Sequence, residues 1–183
     1  GPNKNIIFGG AFTGLGNATT PKNRDGQVVN LSSGNITAGA TTATVGYNDP
    51  HNIVCKVGSQ DGLGNTWLLA DQTPGYWQVN FQFGFNPTKL RLYNTKQDGR
   101  GTKTFRVTAL PIDGIMNMTY TDANGNAASC SDQCPLSQDS NTYQDFHFAN
   151  SIGMNGFRVD VSDWYGNGGG LSGIEMFQDG RVV

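Results

Sequence analysis

DGLGNTWLLADQTPGYWQVNFQFGFNPTKLRLY, residues 61–93, decides the fold. An Asp-Gly turn at Asp61 and Gly62 leads into Thr66 and Trp67, and a short polar loop follows. Residues 76–83 then alternate, with Trp77, Val79, Phe81 and Phe83 on one face and Gln78, Asn80 and Gln82 on the other. Leu90 and Leu92 alternate against Arg91 and Tyr93. A period of two is that of a half-buried β-strand, because successive side chains leave the pleat on opposite faces. The phase sends Trp67 and Trp77 into an interior and makes Tyr76 the exposed ring of the Tyr-Trp pair.

The same texture extends outward. TFRVTAL puts Phe105, Val107 and Ala109 on one face, and NGFRVDVSD does the same with Phe157, Val159 and Val161. LSGIEMFQD and YQDFHFA also alternate, and residues 115–120 read as one more strand. Upstream, NIIFGG reads as an edge strand, and residues 41–47 and 52–57 read as short strands bounded by Gly, Asn, Asp and Pro. No window carries a 3.6-residue apolar period. Strands of this length with Gly-rich turns predict an all-β, antiparallel jelly-roll sandwich, with residues 3–183 as a single domain after a Gly1-Pro2 tag remnant. A long polar stretch, residues 121–142, interrupts the strands and carries CSDQC.

Composition supports an all-β chain. Gly accounts for 26 of 183 residues and the good helix formers are thin; Glu175 is the only glutamate beside thirteen aspartates. The net charge of -2 excludes binding to nucleic acid or anionic lipid by bulk electrostatics. No apolar run is long enough to span a bilayer. Cys130 and Cys134 are expected to form a local disulfide. Cys55 reads as a buried strand thiol, or it claims one of the other two. Sequons at Asn17, Asn30, Asn35 and Asn117 permit secretion, and an Asn-, Thr- and Gly-rich, Lys-poor texture suits a fungal-type surface protein. The expected location is extracellular, attached to a cell wall or cell surface, as a monomeric module of a larger protein.

Taken in order, these elements resemble discoidin-type (coagulation factor type C) domains and the related galactose-binding-like carbohydrate-binding modules. The likeness covers residues 61–107 and 156–177. It lies in Asp61, Gly62, Thr66 and Trp67; in WQVNF, where Asn80 stands for an Asp; in TKLRLYN; in TKTFRVTAL; and in the closing pair FRVDV and LSGIEMF. The resemblance implies a structural Ca2+ held by Asp61, Asn65, Thr66 and Glu175, since calcium takes six to eight oxygen ligands in flexible geometry. One Glu of the pattern falls on Gly173. The competing reading is that Asp61 only caps a turn.

The candidate ligand site is DWYGNGGG, residues 163–170. Trp164 and Tyr165 offer flat rings to the C–H face of a sugar, Asp163 and Asn167 supply directed polar groups, and the glycines allow close approach. Alternatively one ring plugs the end of the sandwich. Tyr76, His51 and Arg91 are further ligand candidates from neighbouring loops, with Tyr47, Asn94 and Arg100 behind them; the resemblance implies that a His, an Arg and an Asn grip galactose-type hydroxyls. Catalysis has no positive signal: neither His51 nor His147 sits in a metal or nucleophile motif, and no carboxylate pair is indicated. The expected function is a non-catalytic carbohydrate-binding or adhesion module for a glycan or cell-surface polysaccharide. The other readings are a polysaccharide-active enzyme and a protein- or phospholipid-binding adhesion domain.

Overall fold

The computed structural model describes residues 29–34, 46–54, 61–138, 142–150, 152–178 and 181–182. In chain order the strands are β1 (Val29–Gly34), β2 (Trp67–Leu68), β3 (Gly75–Phe85), β4 (Lys89–Tyr93), β5 (Gly101–Leu110), β6 (Gly114–Ile115) and β7 (Met118–Thr121), followed by β8 (Ala127–Cys130), β9 (Cys134–Pro135), β10 (Gln144–Phe148), β11 (Met154–Tyr165), β12 (Gly170–Leu171), β13 (Gly173–Gln178) and β14 (Arg181–Val182). They form two antiparallel sheets. One runs β1-β3-β11-β5-β6, with β9 also on β5; the other runs β14-β13-β4-β10-β7-β8. A small β12-β2 ribbon accompanies them. This is the expected galactose-binding-like jelly roll.

The inner faces follow the sequence phase. Trp77 and Val79 of β3, Phe157 and Val159 of β11, and Phe105, Val107 and Ala109 of β5 are fully buried. They meet Leu90 and Leu92 of β4, Phe146 of β10 and Met176 of β13. Phe105 and Phe146 bridge the two sheets edge-to-face, with centroids 4.9 Å apart. Trp67 is also fully buried, and the Trp77 indole N–H donates to the Pro50 carbonyl at 2.9 Å.

Three expectations about elements are corrected. Pro50–Ile53 is a 3-10 turn capped by Asp49, so the apolar run that begins there is not a strand at its start. Residues 115–120 form two short strands, because the chain leaves β5 at Met116 before joining β10. Trp164 and Tyr165 lie within β11, opposite Thr102 and Gly101, not in the loop. Irregularities in pairing around Asp163 let the strand run on past the point where alternation breaks. Residues 5–10, 41–45 and 55–57, including Cys55, lie outside the described residues. Cys130 and Cys134 are joined by a disulfide.

One buried amide organises the end of the sandwich where the loops gather. Asn94, 1% exposed, donates from Nδ2 to the carbonyls of Thr102 (2.8 Å) and Ser137 (2.7 Å). Its Oδ1 accepts from the backbone N–H groups of Thr95 (3.0 Å) and Thr102 (2.9 Å). Ser172 donates to the Asn94 carbonyl at 2.6 Å, and Thr102 donates to Gly170 at 2.6 Å. Asn94→Ala strands several buried backbone groups, each at a cost of one or more kcal/mol, so a loss of about 3 kcal/mol is expected in urea unfolding, with loops 95–101 and 136–138 losing hydrogen-exchange protection first.

Candidate functional site

Above that amide, three chain segments are laced together. Leu69 donates to the Gly169 carbonyl at 3.0 Å, and Gly101 donates to the Gly168 carbonyl at 3.1 Å. Gln72 sits at φ 51, a region a Gln side chain rarely adopts, and cross-loop bonds hold it there. Its backbone N–H donates to the Asn167 carbonyl at 2.9 Å, and its side-chain amide donates to Asn167 Oδ1 at 3.0 Å. The amide oxygen accepts from the Trp164 indole N–H at 3.3 Å. The result is a partly exposed indole in a fixed orientation, with amide and carboxylate groups beside it.

Arg100 braces the same cluster. Its guanidinium donates to the Leu69 carbonyl at 3.3 Å and pairs with Asp71. Gly168 leaves room for the guanidinium, because a Cβ there would stand 2.4 Å from Arg100 Nη1 and push it aside. Gly166 is required twice over: its φ is +62, and a Cβ would stand 2.4 Å from the Gly99 carbonyl oxygen. The Arg100 hydrogen bond, aided by its charge, holds the Asp71 carboxyl below the ordinary value of 3.8.

Trp164 and Tyr165 do not form one platform. Adjacent strand residues leave opposite faces, so Tyr165 turns away, its hydroxyl donating to the Leu136 carbonyl at 2.9 Å. Asp163 accepts the Trp164 backbone N–H at 2.9 Å and so supports the local backbone. Of the sequence candidates, the structure brings Trp164, Asp163, Asn167 and Arg100 together. Gln72 and Asp71 join them without any motif to announce them.

The remaining candidates sit elsewhere. Arg91 lies on the outer face of the second sheet, bonded to Asp145 at 2.8 and 3.1 Å, under the Tyr143 ring at 3.6 Å. His51 is in the 3-10 turn, its Nδ1 2.6 Å from Asp49 Oδ1. Tyr76 is on the outer face of the first sheet, with the Arg158 guanidinium 4.1 Å from its ring centroid. Asn94 is the buried tie already described and faces no ligand.

The four residues expected around calcium are each engaged. Asp61 Oδ1 accepts from the Thr95 hydroxyl at 2.5 Å and the Thr66 hydroxyl at 3.4 Å, and its Oδ2 accepts from the Lys96 N–H at 3.1 Å. Thr66 Oγ1 accepts from the Gly62 N–H at 3.2 Å, and the Asn65 N–H donates to the Gly62 carbonyl at 3.0 Å. Glu175 pairs across the strands with Arg91 and accepts a hydrogen bond from Tyr93. Burial first, and then Glu175, push the Tyr93 hydroxyl up to about 12. Among the described residues no group of three or more His, Cys, Asp or Glu can hold a metal ion. In this structure the Asp61 carboxylate serves as a loop tie to Thr95, Thr66 and Lys96, while Glu175 stands on β13 opposite Arg91 of β4.

Comparisons with known proteins agree with the fold and supply a family. The sequence profile of the Rax2 second domain matches residues 23–171. The chain is 54% identical over 166 residues to polarized growth protein L1 of Phoma sp., covering 90% of the chain and 12% of that protein. It is 27% identical to bud site selection protein RAX2 of Saccharomyces cerevisiae, covering 97% of the chain and 18% of that protein. The chain thus spans less than a fifth of either relative. Among solved structures, a family 32 carbohydrate-binding module of Clostridium perfringens NanJ, determined with galactose, superposes with a TM-score of 0.52 at 11% identity, over 82% of this chain and 93% of that one. The C-terminal domain of a Bacteroides fragilis chitobiase gives 0.53 at 10% identity, over 85% and 95%. Both share the jelly roll. The disulfide suits an oxidising compartment and, with the family, makes this an extracellular chain.

Two measurements test the geometry. Because the Asp71 shift is downward, the Arg100 tie is intact above pH 3.8 and is lost as pH falls through the lowered value. An NMR titration is expected to put the Asp71 midpoint below 3.8 and to find it higher in Arg100→Ala than in the wild type. Chelation with EDTA is expected to move the melting temperature by less than about 1 °C, since an ion bound tightly to the native state alone would stabilise it measurably.

Proposed function

Because the chain belongs to the family of the Rax2 second domain, we propose that it is the glycan-binding part of a polarised-growth protein, working outside the cell. It is not an enzyme: its relatives are polarity proteins and its fold is that of a binding module. One observation carries the glycan reading. Trp164 presents a partly exposed indole whose N–H is already bonded to Gln72, so the ring is oriented before any ligand arrives. A rigid ring flanked by carboxylate and amide groups suits a sugar, which offers an apolar C–H face and a rim of hydroxyls. Pre-orientation lowers the ordering cost of binding.

The lipid reading has less support. Ile112 and Ile115, among the exposed large apolar residues, lie by the Leu110 end of β5, Ile115 opposite Thr108, whereas Trp164 pairs with Thr102 at its other end.

On an array of β-1,3-glucan, chitin and mannan oligosaccharides, the wild-type chain is expected to bind at least one class. Trp164→Ala is expected to weaken that binding at least about tenfold, whereas Tyr165→Phe leaves it unchanged, because the Tyr165 hydroxyl is spent on Leu136. A wild type that binds none of these sugars, or a Trp164→Ala variant that binds as well as wild type, rejects the reading.

A further inference from the structure

A cleft of about 490 Å³ opens on the outer face of the first sheet. Its floor is a row across three strands, Tyr76 of β3, Asp160 of β11 and Arg106 of β5, set side by side by the sheet register. Its rim is Ser162 together with Asp132 and Gln133, which belong to the loop closed by the Cys130–Cys134 disulfide. That loop is held to the sheet by β9, where Cys134 pairs with Phe105.

The floor is rigid. The Tyr76 ring lies over Gly34, where a Cβ would stand 2.2 Å from Cε1, and Arg158 covers it while bonding Gln78 at 2.8 Å. Arg106 and Asp160 approach to 3.5 Å, so the opposite charges on the floor compensate one another. A charged ligand would have to break that pair. A neutral polyol would instead accept from the guanidinium and donate to the carboxylate, and it would find further polar partners on the rim.

This cleft and the Trp164 cluster share both their walls. Residues 72–76 supply Gln72 to one and Pro74, Gly75 and Tyr76 to the other; residues 160–164 supply Trp164 to one and Asp160 and Ser162 to the other. Along each wall a single residue, Thr73 on one and Asp163 on the other, intervenes between the nearest members of the two sites. We propose that the Tyr76–Asp160–Arg106 cleft is a second sugar subsite continuous with Trp164, so that the chain binds an internal stretch of a neutral polysaccharide and not a single terminal sugar. The proposal rests on the glycan reading of Trp164.

Calorimetry with oligosaccharides of β-1,3-glucan, chitin and mannan, from the monosaccharide upward, separates the two claims. The wild type is expected to tighten at least about tenfold from one sugar to a longer chain. Arg106→Ala and Asp160→Asn are expected to erase that gain and keep single-sugar binding, and Trp164→Ala to lose both. Gln133→Trp, which fills the cleft from an exposed loop without disturbing the sheet, is expected to act like Arg106→Ala. Affinity independent of chain length, or a length gain that survives all three cleft variants, overturns the second subsite and leaves the Trp164 site standing. No binding by the wild type overturns both.

Discussion

The arrangement of the loop end depends on the satisfaction of one buried amide. Where β4 ends and β5 begins, backbone groups turn away from the sheet ladders and would otherwise lie unpaired in the interior, at more than a kcal/mol each. The Asn94 side chain has two donors and one accepting oxygen, and it takes four of them from three segments. Thr102 and Ser172 extend the network to Gly170 and back to the Asn94 carbonyl. With these bonds made, the segments after β4, before β5 and after β11 have fixed starting points. The Gln72–Asn167 and Arg100–Asp71 ties then only have to join loops that already face one another.

What could be read in advance was whatever has a local period. Trp67, Trp77, Phe105, Val107, Phe157 and Val159 announce their burial by alternation, and the structure buries them all. Asn52 and Ile53 carry the composition of a strand, as Asn-Ile-Val does, while the Asp49 cap and Pro50, which favour a tight turn, act over a shorter range and win. Residues 164 and 165 look like loop in the sequence because the irregular pairing at Asp163 breaks the alternation that defines a strand.

The site itself was legible only in part. An aromatic pair beside glycines pointed to Trp164, but which ring turns outward depends on the register with β5. Asn94 and Arg91 were chosen by residue type, and their roles are set by partners 8 to 54 residues away in the chain. Gln72 gave no signal at all, since its positive φ is imposed by Asn167 and Trp164. A carboxylate in an Asp-Gly loop is equally compatible with a cation and with a tie to Thr95 and Lys96, and only the fold distinguishes them.

The bond between Gln72 and Asn167 joins residues 95 apart, and both of its segments are surface loops that cannot meet until β3 and β11 have paired. This loop cluster is therefore a late product of folding, in a topology dominated by non-local pairing and hence slow to form. A nascent chain displays nothing of it, and no short peptide cut from either loop carries it. The cluster therefore reports on completeness: a molecule in which Gln72 and Asn167 have met has already closed the sheet.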